Sequence, residues 1–209
     1  MGFNDVFRQF PILETERILL RPFRYEDINN YLSFFSSPEV QKYLGNLPIP
    51  KDQKAAKQWV DNMNGRYFKS KLVITWCIEL KESHEAIGRI DIGGFVMKSM
   101  GDIAYYLSPQ YWNKGIMTEA AKVVISFGFE QLELHRIQTT VMPDNIYSLR
   151  ILKKLGFKEE GLLRKYVHGK EFLDTYMLSM LKEEYFSDHK LTSHNNMFPD
   201  TPQPKCSLY

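Results

Sequence analysis

The sequence predicts a mixed α/β or α+β fold in a single substantial domain, and three observations carry that expectation. Residues 25–67 are dominated by segments with helical spacing of apolar side chains. From Leu72 the pattern changes to three strand-like runs separated by turn-formers. The chain then alternates strand, helix, strand and helix before two last strands.

RILLRPF, residues 17–23, reads as a strand broken near its end by Pro22. From Tyr25 to Phe35, apolar residues at Ile28, Tyr31, Leu32 and Phe35 keep helical spacing. Ser37-Pro38 suits a second short helix with proline in its first turn. Asp52 to Tyr67 is a polar helix with Ala56, Trp59, Val60 and Met63 along one side. LVITWCIEL, AIGRIDIGGF and GDIAYYL are strands joined by KESHE and VMKSM at hairpin lengths. Ile116, Ala120, Val123, Val124 and Phe127 form the apolar stripe of a helix over roughly 116–131. HRIQTTVM is a strand halted by Pro143. Asn145 to Leu155 is a short helix, with Asp144 as its cap, Lys153 and Lys154 in its last turn and Gly156 free to adopt the left-handed C′ conformation. The last strands lie near FKEEGLLRKYV and FLDTYMLSML. The domain is expected over 1–185, followed by a polar, proline-bearing tail at 186–209, either flexible or docked.

Composition excludes several classes of function. Of 209 residues, 44% are apolar and 25% charged, as in an ordinary globular chain. A net charge of +2 is too small to argue for a nucleic-acid surface. Cys77 and Cys206 lie far apart, so neither a disulfide framework nor a zinc site is expected and a reducing, cytoplasmic setting fits. No apolar stretch approaches the roughly 18 residues of a membrane span, and no secretory signal is visible at the start.

The stretch that carries chemistry is YLSPQYWNKGIMTEA, which passes from a strand to a helix through a loop with no carboxylate before Glu119. A helix start offers unpaired N–H groups and a positive dipole end, both suited to an anion. Gly115 allows a positive φ or close approach of a ligand to the backbone. Lys114 adds charge and Thr118 a hydroxyl, which together describe a pyrophosphate cradle. It is neither a GxxxxGK[ST] nor a GxGxxG loop. On local physics alone, Gly115 could equally be a turn residue before a core helix. Farther on, NIYSLRILKKLGF places Asn145 and Ser148 three apart on a helix, where they can point the same way. His84, His135, His168, His189 and His194 show no pair at metal-ligand spacing, so no metal is expected.

The order and spacing of these segments, from about Thr15 to Tyr185, resemble the GCN5-related N-acetyltransferases (GNAT), and more closely their RimJ/RimL-like ribosomal-protein branch. The resemblance rests on L-x-P before the loop, Thr118-Glu119-Ala120, N-x-x-S at Asn145 to Ser148 and K-x-G-F at Lys154 to Phe157. It implies a central, mostly antiparallel twisted sheet, flanked by helices, whose middle strands splay near Ile103–Leu107 and Ile137–Val141. Pro143, without an N–H, would help to prevent pairing there.

The resemblance also implies acetyl-CoA as co-substrate. The strand would hold it through Tyr105, Tyr106 and Leu107. The loop and helix start would hold it through Trp112, Asn113, Lys114, Gly115, Ile116, Met117 and Thr118, and the later helix through Asn145 and Ser148. Trp112 and Met117 depart from the Gln/Arg and Gly/Ala usual in the family, and Leu152 stands where many relatives carry a tyrosine acid. The proton-donor role therefore moves to Ser148, with Asp102, or second Asp91, as base. Asp174 reads as structural or acceptor-positioning, and Tyr25, Phe34, Phe35 and Tyr43 as the border of an acceptor groove. An α-amine near pKa 8 loses its proton more readily than a lysine near 10.4, favouring a protein N-terminus, with a ribosomal protein as the specific acceptor. A polyamine, amino acid or aminoglycoside acetyltransferase and a catalytically silent acyl-CoA-binding module are the competing readings. No direct nucleic-acid or membrane partner is expected, and a homodimer is compatible with the sequence.

Overall fold

The computed structural model describes residues 3–43, 50–168 and 172–187. Eight strands form one sheet in the order β1-β2-β3-β4-β5-β6-β8-β7. They are β1 (Leu13–Glu14), β2 (Ile18–Arg21), β3 (Val73–Leu80), β4 (Glu85–Val96), β5 (Met100–Leu107), β6 (Arg136–Val141), β7 (Lys158–His168) and β8 (Phe172–Leu181). Every neighbouring pair is antiparallel except β5 and β6. The helices are α1 (Phe3–Val6), α2 (Ile28–Phe35), α3 (Pro38–Gln41), α4 (Gln53–Ser70), α5 (Ile116–Glu130) and α6 (Ile146–Lys154), with a further helical segment at 182–187. Short segments α1 and β1 were not expected from the sequence; four and two residues are too few to display a period. Of the expected tail, residues 188–209 lie outside the described residues.

Both faces of the sheet are covered, and β3 shows why its sequence reads as an unbroken apolar run. Ile74, Trp76 and Ile78 enter a core with α5, Leu152 of α6, and Ile18 and Leu20 of β2. Cys77, between them, enters a second core with Phe23, Tyr31, Phe34, Phe35, Ala56 and Val60 beneath α2 and α4. Period-two alternation sends successive side chains to opposite faces, and here both faces are dry. The α2/α4 face also buries charge. Arg21 donates to Asp27 at 2.7 and 2.8 Å and to Glu79 at 2.5 Å. Arg89 pairs with Asp91 at 2.5 Å beneath the rings of Trp59 and Tyr106. Each cation is matched by carboxylates, as burial requires.

The β5–β6 junction sets up everything that follows. These two strands pair only at Met100–Asp102 with Arg136–Gln138, then part. Beyond that point β5 stays paired to β4 through Leu107, and β6 to β8 through Val141. The expected splay is present, but Pro143 does not cause it. Pairing toward β5 ends at Gln138, while Pro143 follows the end of the strand.

Candidate functional site

The parted strands open a cleft of about 710 Å³ lined on one side by Asp102 to Leu107 and on the other by Gln138 to Met142. Main-chain geometry determines what β5 presents there. Ser108 N–H donates to Ile87 C=O across the β4 pairing. Alternation in an antiparallel ladder then turns the main-chain groups of Tyr106, Ala104 and Asp102 toward β4. Those of Leu107 and Tyr105 face the cleft, where no strand pairs with them; the Ile103 N–H also points that way but is taken up by the Asp102–Gln138 bridge to β6. One of these groups, the Leu107 carbonyl, accepts the Trp112 indole N–H at 2.8 Å.

At one mouth of the cleft stands the loop into α5. A 3-10 turn, Pro109–Tyr111, leads to Asn113 at φ 59° and Gly115 at φ 76°. Gly115 is the N-cap of α5 and supplies no side-chain cap, so the first-turn N–H groups remain open to an outside acceptor. A carboxylate does occur in that turn, at Glu119, but it is turned away and neutralised. Its Oε1 accepts from Thr15 Oγ1 at 2.5 Å and Arg17 N at 3.1 Å, and its Oε2 accepts from Arg17 Nε at 2.7 Å. Burial alone would raise Glu119; hydrogen bonds from Thr15 and Arg17 outweigh it and hold the carboxyl below the ordinary glutamate value. Arg17 also donates to the Lys114 carbonyl at 2.9 Å, fixing the loop from a distant part of the chain.

Opposite this loop, α6 begins at the other wall. Its N-cap is Asn145, whose Oδ1 accepts Ser148 N–H at 3.1 Å. Asp144, the expected cap, instead pairs with Lys42 at 2.8 Å. Gly156 does take the left-handed conformation expected after the helix, at φ 92°. The Ser148 hydroxyl lies 2.8 Å from the phenol oxygen of Tyr105 on β5. Trp112 and Tyr147 approach across the mouth with ring centroids 5.6 Å apart.

Of the sequence-predicted residues, Asp102, Tyr105, Tyr106, Leu107, Trp112, Asn113, Gly115, Ile116, Met117, Thr118, Asn145 and Ser148 all line this single cleft. Lys114 is absent from the lining; its ammonium sits 5.4 Å from the Tyr111 ring centroid. Ile116 and Met117 are buried in the core, so their access to the cleft is through the backbone. Partial burial raises the Asp102 carboxyl above the ordinary aspartate value, against a hydrogen bond from Gln138 and the nearby Arg136 charge. The alternative, Asp91, is buried against Arg89 and lies outside the cleft lining. Asp174 accepts from Lys165 N–H at 2.7 Å, an anchor for the left-handed Lys165 in β7. Phe34 and Phe35 belong to the core, and exposed Tyr25 bonds Asp61, so of the four expected groove residues only Tyr43 lines the cleft.

Sequence reasoning missed Arg17, Tyr147 and Arg150. The last two line the cleft, Arg150 one turn before Lys154, which lines it too. Their i, i+4 spacing was the available signal; Arg17, about a hundred residues from its partners, gave none. Among the described residues the charged lining therefore comprises two cations and Asp102, facing an uncapped helix start. That donor set fits a phosphate-bearing molecule whose arm enters between the strands.

Comparison with known proteins agrees. The acetyltransferase (GNAT) domain profile matches residues 17–158. An uncharacterized N-acetyltransferase, p20 of Bacillus licheniformis, is 36% identical over 178 residues, covering 83% of this chain and 97% of its own. Spermidine N(1)-acetyltransferase of Escherichia coli is 29% identical over 94 residues, covering 44% of this chain and 50% of its own. The crystal structure of ribosomal-protein-S5-alanine acetyltransferase from Vibrio fischeri superposes with a TM-score of 0.72 at 24% identity, covering 83% of this chain and 98% of that one. With the parted strands, the uncapped helix start and the domain match taken together, this chain belongs to the GNAT family of acetyltransferases.

Proposed function

We propose that this N-acetyltransferase moves the acetyl group of acetyl-CoA to the α-amine of a protein or peptide, in the manner of the RimJ/RimL branch, with a ribosomal protein N-terminus as acceptor. One observation carries the reading: the uncapped start of α5 and the unpaired edge of β5 belong to one continuous cleft. The N–H groups at Gly115–Thr118 would take the pyrophosphate, with Arg150 and Lys154 supplying charge. The cleft-facing N–H groups of Tyr105 and Leu107 would hold the pantetheine arm and the thioester oxygen, and Asn145 a pantetheine amide. A preorganised N–H at that oxygen stabilises the tetrahedral intermediate.

In the transfer, the amine nitrogen bonds to the acetyl carbon, the carbon–sulfur bond breaks, and the amine's proton passes to solvent, assisted by Asp102. Ser148 donates to the departing sulfur, which leaves as the thiol, and the serine oxygen takes a proton back from solvent. The acceptor class is supported by two features. An α-amine is neutral more often at pH 7 than a lysine or polyamine amine. Among the described residues Asp102 is the sole carboxylate of the lining, beside Val40, Tyr43, Tyr106, Tyr166 and Met177, a surface suited to a peptide rather than a polycation.

The test is free-thiol release from acetyl-CoA with peptides bearing free or blocked N-termini, spermidine and aminoglycosides. Turnover is expected with the free α-amine peptides. Turnover confined to spermidine or aminoglycosides would assign the small-amine reading, and none with any amine would assign a silent acyl-CoA-binding module. Ser148→Ala is expected to lower kcat by about 10²–10⁴-fold, the range of a positioned acid; full turnover at saturating substrate would remove the donor assignment.

A further inference from the structure

A serine hydroxyl carries one proton and two acceptor sites. Ser148 can therefore serve a leaving sulfur only if that proton is directed into the cleft. Its position in the first turn of α6 does not ensure this, because the hydroxyl can rotate. The tyrosine that many relatives place one turn later is replaced here by Leu152, fully buried in the core. A phenol reaches the same place from another element. Tyr105, on β5, brings its oxygen to 2.8 Å from Ser148 Oγ, and both residues line the cleft.

Two arrangements of this hydrogen bond are available. If Ser148 donates, its proton is spent on the phenol and turned from the sulfur. If Tyr105 donates, the serine accepts and keeps its own O–H free. A phenol is the stronger donor of the two. Burial pushes Tyr105 up to about 12, against the hydrogen bond to Ser148, so the phenol keeps its proton throughout the neutral range.

We propose that Tyr105 is a positioning residue for acetyl transfer, donating to Ser148 Oγ and thereby aiming the serine O–H at the departing sulfur. The inference rests on the reading of Ser148 as donor. No bond to Tyr105 forms or breaks, and no proton leaves it.

Tyr105→Phe, Ser148→Ala and the double variant test it through kcat, KM and calorimetric acetyl-CoA affinity, on proteins whose melting points lie above the assay temperature. Tyr105→Phe is expected to lower kcat about tenfold while KM and acetyl-CoA affinity stay within twofold, the energy of about one hydrogen bond. In the Ser148→Ala background the same change is expected to alter kcat by less than twofold. An unchanged kcat in the single variant overturns the proposal. So does a tenfold loss that persists without Ser148, or one matched by an equal loss of affinity, since Tyr105 would then shape the cleft generally. A silent Ser148→Ala alone would instead remove the parent assignment.

Discussion

Gly115→Ala offers a test in which two measurements must share one energy. Gly115 sits at φ 76°, in the left-handed region. A Cβ built there meets only the Arg17 guanidinium, at 3.6 Å, an ordinary contact. Steric collision is therefore negligible and backbone strain remains, about 1–2 kcal/mol for an L-residue in this conformation. The variant has two ways to respond. If the loop keeps its shape, the strain is carried by the folded protein and the melting point falls by roughly 2–8 °C for a domain of this size. If the unliganded loop relaxes, the melting point is preserved, but binding must restore the strained shape. Acetyl-CoA affinity then weakens by about 5–30-fold, the same 1–2 kcal/mol expressed as an equilibrium constant. Thermal melts of the free protein and calorimetric titration with acetyl-CoA measure the two shares. Their sum should fall near 1–2 kcal/mol. A variant that melts and binds like the parent would show that the left-handed Gly115 is not required for the cradle.

Four further predictions follow from the same contacts. Arg17→Ala releases the Lys114 carbonyl and leaves Glu119 unneutralised; acetyl-CoA affinity by calorimetry should drop about fivefold, the scale of a half-exposed pair, with partial recovery in Arg17→Ala/Glu119→Gln. Arg21→Met strands Asp27 and Glu79 in the α2/α4 core; about 3–5 kcal/mol of stability should be lost, or roughly 6–20 °C in thermal melts. Hydrogen bonds from Arg136 and Ser179 hold Glu160 down to about 2; a depressed carboxylate stabilises above its unfolded pKa, so the melting difference between the parent and Glu160→Gln should fade between about pH 4.5 and 2. It should be small throughout, because Glu160 is 42% exposed. Amide exchange should slow with acetyl-CoA at Tyr105 and Leu107, while Ile103, already bonded to β6, and Ala104 and Tyr106, already bonded to β4, should change little; uniform slowing along β5 would contradict the alternation drawn from Ser108 and Ile87.

Much of the fold was legible because it is written at short range. The strand-like runs of β3, β4 and β5, set off by turn-formers, and the 3.6-residue stripe of α5 fall within one or two residues of their expected bounds. The loop was legible too: its glycine, its lack of carboxylate before Glu119 and the following apolar helix are neighbours in sequence. What failed was choice between adjacent donors and acceptors. Asp144 and Asn145 are both good caps, and only the helix start at Ile146, with Lys42 drawing Asp144 aside, selects the asparagine. Phe34, Phe35 and Tyr43 are alike as aromatic residues near one helix, yet packing sends two inward and leaves one at the cleft.

The illegible part of the candidate site is the part made by closure over distance. Arg17 reaches Lys114 and Glu119 because β2 lies in the same sheet as the strand feeding the loop, separated from it by β3 and β4. Tyr105 meets Ser148 only because β5 and β6 part, admitting a helix residue to the side of a strand that would otherwise be paired. The break has a further consequence. A strand edge with unpaired N–H and C=O groups invites another backbone to pair with it. Here Met100–Asp102 join the two half-sheets at one end, and the remaining gap leaves the edge at Tyr105 and Leu107 without its neighbour. A substrate arm that carries amides can supply the missing pairing, so under the proposed function the same defect that interrupts the sheet would favour an extended, amide-bearing molecule. Glu119, the one carboxylate in the first turn of α5, would oppose an anion at the far end of that molecule, and Thr15 and Arg17 hold it away. Distant residues on the approach to β2 would thus complete the proposed anion site, whose main-chain groups come from the loop and the start of α5.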